Sequence, residues 1–158
     1  MTEAAAAQDV RTIILAAGRG TRLGALSAEL PKAFVEIAGR TILAHQRRVL
    51  AASGINDVHI VLGHGADLAE HHPDTYGLTV WRNPDYAVTN MVTTLFCARE
   101  VFDGEADVII AYGDIVYEAR VVKALLNVEA SVTIAVDISV FIPSSPPSRR
   151  YATTTGSV

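Results

Sequence analysis

The sequence predicts an α/β fold, a mostly parallel sheet with helices on both faces. Three observations lead there. Short apolar runs alternate with helix-patterned segments, a glycine-rich stretch leaves the first run, and an aspartate stands just beyond a later one. Parallel strands need long crossovers, which are usually helical and cover the sheet faces. Ligands of such sheets bind beyond the carboxyl ends of the strands. The glycine stretch and Asp114 both occupy such ends.

Val10 to Ala17 is nearly continuous apolar sequence and short enough for a buried strand. Thr41 is placed to cap a helix through about Ser53, which Gly54 then stops, with Ile42, His45, Gln46 and Val49 at mixed spacing. Val58 to Leu62 is the next strand, and Gly63-His64-Gly65 the turn that leaves it. Leu78 to Trp81 is a third strand. Thr89 or Asn90 caps a helix through Phe102, with Met91, Leu95, Ala98 and Phe102 at helical spacing. Val108 to Tyr112 is a fourth strand, Tyr117 to Asn127 a helix and Ser131 to Val136 strand-like. This reading gives one domain over residues 8–140, after a loose segment of about eight residues. Residues 141–158, rich in proline and serine and then in small polar residues, are expected to be an unstructured tail.

Composition removes several function classes. The chain has 158 residues, half of them hydrophobic, which is far from a disordered composition. A formal charge of −4 leaves no broad positive field for nucleic acid. No apolar run approaches the ~18 residues of a membrane span, and no basic, apolar secretory leader precedes the domain. Cys97 is the single cysteine and cannot form an internal disulfide. A soluble cytoplasmic protein is expected.

The loop Gly18-Arg19-Gly20-Thr21-Arg22 carries the first chemistry. Glycines permit positive φ and bring backbone N–H groups close to an oxyanion. Arg19, Arg22, the Thr21 hydroxyl and Lys32, which follows Pro31, complete a cradle suited to polyphosphate. A tight strand–helix connection with solvated arginines is the competing reading. The dinucleotide fingerprint fails because Leu23 stands where its third glycine belongs, and no Gly-Lys-Ser/Thr tripeptide exists.

Leu15-Ala16-Ala17-Gly18-Arg19-Gly20-Thr21-Arg22-Leu23, followed by Pro31-Lys32, resembles the opening of nucleotidyltransferases that join a phosphorylated small molecule to a nucleotide. The resemblance implies a three-layer Rossmann-like α/β/α sandwich of the nucleotide-diphospho-sugar transferase type. It also implies a loop wrapped around a triphosphate, with Arg22 and Lys32 on its phosphates. The reaction implied is Mg²⁺-dependent transfer of NMP from CTP, UTP or dTTP to phosphocholine or a sugar 1-phosphate, releasing pyrophosphate. Whether the chain forms a homo-oligomer is left open.

Asp114, behind Tyr112-Gly113, either caps the following turn or supplies a carboxylate to a hard cation. The Tyr-Gly-Asp tripeptide also matches the family, whose aspartate at that place holds Mg²⁺. Asn83, Thr89 and Asn90 offer donor–acceptor pairs for a base edge, or equally a turn and a helix cap. The segment looks like the corresponding loop of phosphocholine cytidylyltransferase-like members. The histidines His64, His71 and His72 have no metal-site spacing and are assigned with Asp67 and Glu70 to a solvated face. Trp81 is assigned to the core, and Cys97 has no histidine partner.

The resemblance covers residues 10 to about 137. Family members usually continue with strands that hold the acceptor and a second metal ligand, which Asp137 does not match. A catalytically silent nucleotide-binding remnant, acting through binding or dimerisation, is therefore the alternative from another class.

Overall fold

Thr, Ile and Val dominate the first apolar run, and Val10–Ala16 forms strand β1, its residues from Thr12 to Ile14 fully buried. The computed structural model describes residues 9–20, 29–137 and 151–156. Thr21, Arg22 and the segment before residue 9 therefore lie outside the described residues. The chain divides into two compact units, Met1–Val116 and Tyr117–Val158.

In the first unit a single 3-10 turn over Lys32–Phe34 leads to a two-stranded antiparallel ribbon, β2 (Glu36–Ile37) and β3 (Arg40–Thr41). Helix α1 (Ile42–Ala52) follows. Thr41 caps it as the sequence predicts, its hydroxyl accepting from Ala44 N at 3.0 Å, and Gly54 ends it at φ +84°. The buried face of α1 is Ile42, Leu43, Gln46 and Leu50; His45 and Val49 are only half-buried. Strand β4 (Asp57–Leu62), helix α2 (Ala66–Glu70), strand β5 (Thr79–Arg82), helix α3 (Met91–Phe96) and strand β6 (Asp107–Tyr112) complete the unit.

β1, β4, β5 and β6 form a wholly parallel sheet in the order β5-β4-β1-β6. Consecutive residues of a strand point to opposite faces. Ile13 and Ile14 are both fully buried, as are Ile60 and Val61, so both faces are covered. One face carries Ile13 and Val61 packed with Ala98 and Val101, and Trp81 lies against this cluster as expected of a core residue. The chain runs outward from β1 to β4 and β5, then returns to place β6 on the other side of β1. The strand order thus reverses between β1 and β6, which opens a crevice at their carboxyl ends. No helix among the described residues is long and apolar enough to cross a membrane.

Two expectations change. The helix expected through Phe102 stops at Phe96, and a separate 3-10 turn spans Arg99–Val101. Thr94 Oγ1 bonds back to Asn90 O at 3.2 Å, a contact that weakens and bends a helix. Of the expected stripe only Ala98 is fully buried, together with Thr94 and Val101, leaving Met91 and Phe102 exposed. The second unit holds helix α4 (Ala119–Leu126) and strands β7 (Val132–Asp137) and β8 (Tyr151–Gly156), paired antiparallel. A strand thus forms within the segment expected to be unstructured. Ladder hydrogen bonds are made by backbone, and the Thr153–Thr155 run suits a strand without supplying an apolar face.

His59 on β4 is a buried polar residue whose Nδ1 accepts from Trp81 Nε1 at 3.1 Å; its Nε2 lies 3.1 Å from Asp57 Oδ1. Trp can only donate, so this contact requires the neutral ring with its hydrogen on Nε2. Burial lowers the His59 pKa from its ordinary 6.5, outweighing the upward pull of Asp57. A depressed folded pKa means the unfolded chain binds more protons. The stabilising contribution is therefore complete above pH 6.5 and lost as pH falls below it and through the folded value. Thermal melts at pH 7.5 and 5.5 should show a larger acid loss in the native protein than in His59→Gln.

Candidate nucleotide site

The crevice between β1 and β6 holds a cleft of about 240 Å³. Its floor comes from the end of β1 and the loop after it, Leu15, Ala16, Ala17, Gly18 and Gly20. Gly20 takes the positive φ expected of it, +62°, whereas Gly18 does not. A Cβ on Gly18 would meet nothing within 4 Å, so the space above that backbone is open. Arg19 is exposed and does not line the cleft.

Lys32 and Asp114 enter from two sides. Pro31, with φ −59° and ψ 156°, is buried, as are Ala33 and Phe34, and this anchoring aims Lys32 outward between them. Asp114 follows β6. The N–H of Gly113 donates to Leu15 O at 2.8 Å, bringing the two strand ends into contact. A Cβ on Gly113 would lie 2.9 Å from Leu15 O and 3.0 Å from Ala16 Cβ, so a glycine is required for this approach. Lys32 Nζ then reaches Asp114 Oδ2 at 3.1 Å. Both side chains are partly exposed, at 30% and 46%, and both line the cleft. A partly solvated ion pair of this kind is worth only about 0–1 kcal/mol and can exchange partners readily.

The loop after β5 and the first turn of α3 form the remaining wall, with Tyr86, Thr89 and Asn90 from the loop and Met91 and Thr94 from the helix. Asn83 is not part of it. The structure buries Asn83 to 2% exposure and commits its amide to the loop itself. Nδ2 donates to Thr89 Oγ1 at 3.0 Å and Thr94 Oγ1 at 2.9 Å, while Oδ1 accepts from Asp85 N at 3.0 Å. Asn83 thus serves as a buried strut between the strand end and the following segment, the turn role its sequence position also offers, and it stands apart from the cleft lining. Asn90 is exposed, and its Oδ1 caps α3 by accepting from Val92 N and Thr93 N. Tyr112 enters the sequence reading only as the first residue of the Tyr-Gly-Asp tripeptide, with no role of its own. It lines the cleft and donates its hydroxyl to Met91 Sδ at 3.1 Å.

The residues set aside in the sequence have other uses. Asp67 and Glu70 both pair with Arg82. His72 Nδ1 accepts from Asp74 N at 3.2 Å, and its ring meets Phe34 edge-on. Cys97 Sγ contacts Thr93 O at 3.4 Å. Among the described residues no group of three His, Cys, Asp or Glu side chains could hold a metal ion. Asn83→Ala should cost about 1–3 kcal/mol of unfolding free energy, because it removes the three hydrogen bonds that this buried amide makes to Thr89, Thr94 and Asp85 N. Denaturant titration measures this directly.

A family model described as a MobA-like NTP transferase domain matches residues 12–143. CTP:phosphoglutamine cytidylyltransferase of Campylobacter jejuni is 36% identical over 135 residues, covering 82% of this chain and 53% of the relative. The structure of CTP:phosphocholine cytidylyltransferase from Streptococcus pneumoniae superposes with a TM-score of 0.60 at 32% identity, over 67% of this chain and 45% of that one. A nucleotidyl transferase from Methanothermobacter shares the fold, with a TM-score of 0.62 at 21% identity, over 78% of this chain and 60% of its own. The chain spans about half the length of the relatives it matches. A parallel sheet whose reversal point gathers a glycine loop, a lysine and an aspartate, matched over most of its length by that family model, belongs to the MobA-like NTP transferases.

Proposed function

We propose that this chain serves Mg²⁺-dependent nucleotidyl transfer, moving NMP from an NTP to a phosphorylated small molecule with release of pyrophosphate. The observation that carries the reading is the convergence of the β1 loop, Lys32 and Asp114 on one cleft at the strand reversal. The CTP-dependent activities named for two relatives favour CTP over UTP or dTTP as donor; their acceptors are phosphoglutamine in one and phosphocholine in the other, phosphorylated small molecules of different structure.

Asp114 is the sole carboxylate lining the cleft among the described residues. Its oxygens fit Mg²⁺, which prefers oxygen ligands and is commonly held by one or two carboxylates together with substrate phosphates and water. When bound, such an ion neutralises phosphate charge and orients the donor. A phosphate monoester has a second pKa of about 6, so the acceptor oxygen is largely ionised at neutral pH and needs no general base. That oxygen bonds to the α-phosphorus while the bond to the β-phosphate oxygen breaks, and pyrophosphate departs with the electron pair. Loop N–H groups and the Lys32 ammonium lower the energy of the charge that develops on the phosphates. Arg22 has the same task by resemblance.

Pyrophosphate release measured over CTP, UTP and dTTP, with phosphocholine or glucose 1-phosphate, tests the reading. Turnover supports it, and nucleotide binding without turnover favours the silent remnant. Lys32→Ala should weaken Mg²⁺–nucleotide binding on the order of tenfold, the worth of a lost charge-assisted contact. Asp114→Asn should weaken it in Mg²⁺ yet strengthen it in EDTA, because Lys32 is then released from its ion pair. Calorimetric titration in both buffers distinguishes these signs.

A further inference from the structure

Gln46 is the anomaly of helix α1. It sits on the same buried face as Leu43 and Leu50 and is only 1% exposed. An amide at such a position is costly unless its hydrogen bonds are made. Its Nε2 donates to two backbone carbonyls, Tyr112 O at 2.8 Å and Ile115 O at 2.7 Å. These carbonyls flank Gly113-Asp114 on either side, so one nitrogen uses both hydrogens to close the loop that carries the carboxylate. The opposite amide orientation would set Oε1 against two acceptors, which fixes the assignment. Oε1 itself is buried and has no hydrogen-bond partner among the described residues, a penalty set against the two bonds its Nε2 makes.

We infer that Gln46 is a positioning residue for Asp114, holding the loop after β6 so that its carboxylate meets the metal–nucleotide complex. The inference rests on the proposed nucleotide reading of the cleft. Gly113 N–H fastens the loop to β1 from one side, and Gln46 fastens it to α1 from the other. Asp114 therefore hangs between two anchors, and its side chain remains half-exposed to meet a ligand. Gln46 is not among the residues that line the cleft.

Gln46→Leu keeps the buried volume and removes both donors, and Gln46→Asn keeps the amide but shortens its reach. Nucleotide affinity is measured by calorimetry with CTP in Mg²⁺ and in EDTA, and exchange of the amide hydrogens of residues 113–115 is followed in the same proteins. The expected result is a loss of affinity of about tenfold or more in Mg²⁺, as for other partners that orient a metal ligand. Affinity in EDTA should stay within about twofold, and the 113–115 amides should exchange faster. A purely structural role would lower both affinities together. An unaltered Mg²⁺ response in folded variants overturns this inference alone. Lack of nucleotide binding by the unsubstituted chain overturns the reading of the cleft and this inference with it. Global unfolding of both variants also overturns it, since Gln46 would then serve the core rather than the loop.

Discussion

The backbone hydrogen bond from Gly113 N to Leu15 O, 2.8 Å long, is the constraint on which the site depends. It joins the carboxyl ends of β1 and β6, adjacent in the sheet although almost a hundred residues separate them in the chain. Sheet order explains why the junction is also an opening. The connection from β1 leads to β4 on one side while β6 lies on the other side of β1, and a crevice is left at the carboxyl ends of β1 and β6. The close approach tolerates no Cβ at residue 113, so sequence and topology meet at a single glycine.

Polar groups around this junction fall into two kinds, separated by burial. Gln46 and Asn83 are almost completely enclosed, and their amides are spent on loop backbone and neighbouring hydroxyls. Disturbing such a group leaves partners unsatisfied in a medium that water does not reach, at a cost of about 1–3 kcal/mol. Lys32 and Asp114 are partly solvated, and their mutual attraction is small. The enclosed amides consequently act as scaffold, while the exposed ion pair is free to trade partners with an incoming phosphate or cation.

The parts of the site that lie close in sequence were legible without coordinates. Leu15 to Gly20 and the pair Pro31-Lys32 are contiguous segments, and Asp114 follows an apolar strand directly. The segment 83–94 was legible only as a class of residues. Asn83 and Asn90 present the same amide, yet one is enclosed as a strut and the other caps α3 beside the cleft. Burial, not residue type, separates them. Helix α3 is shorter than its pattern suggests for a related reason: the periodicity continues past Phe96, but a threonine back-bonding to the main chain and the fit of Ala98 and Val101 against Ile13 accompany its earlier end.

Local pattern determined that this chain would form strands at Val10–Ala16, Asp57–Leu62 and Asp107–Tyr112, a capped helix from Ile42 and a glycine loop with a cation downstream. These follow from interactions within a few residues, where propensity, capping and side-chain alternation operate. Tertiary structure alone decided that β6 lies beside β1, that Gln46 reaches across to the loop of Asp114, and that Asn83 turns inward. Each of those outcomes depends on which distant surfaces are brought out of water together, and contacts of that range leave no periodic trace in the chain.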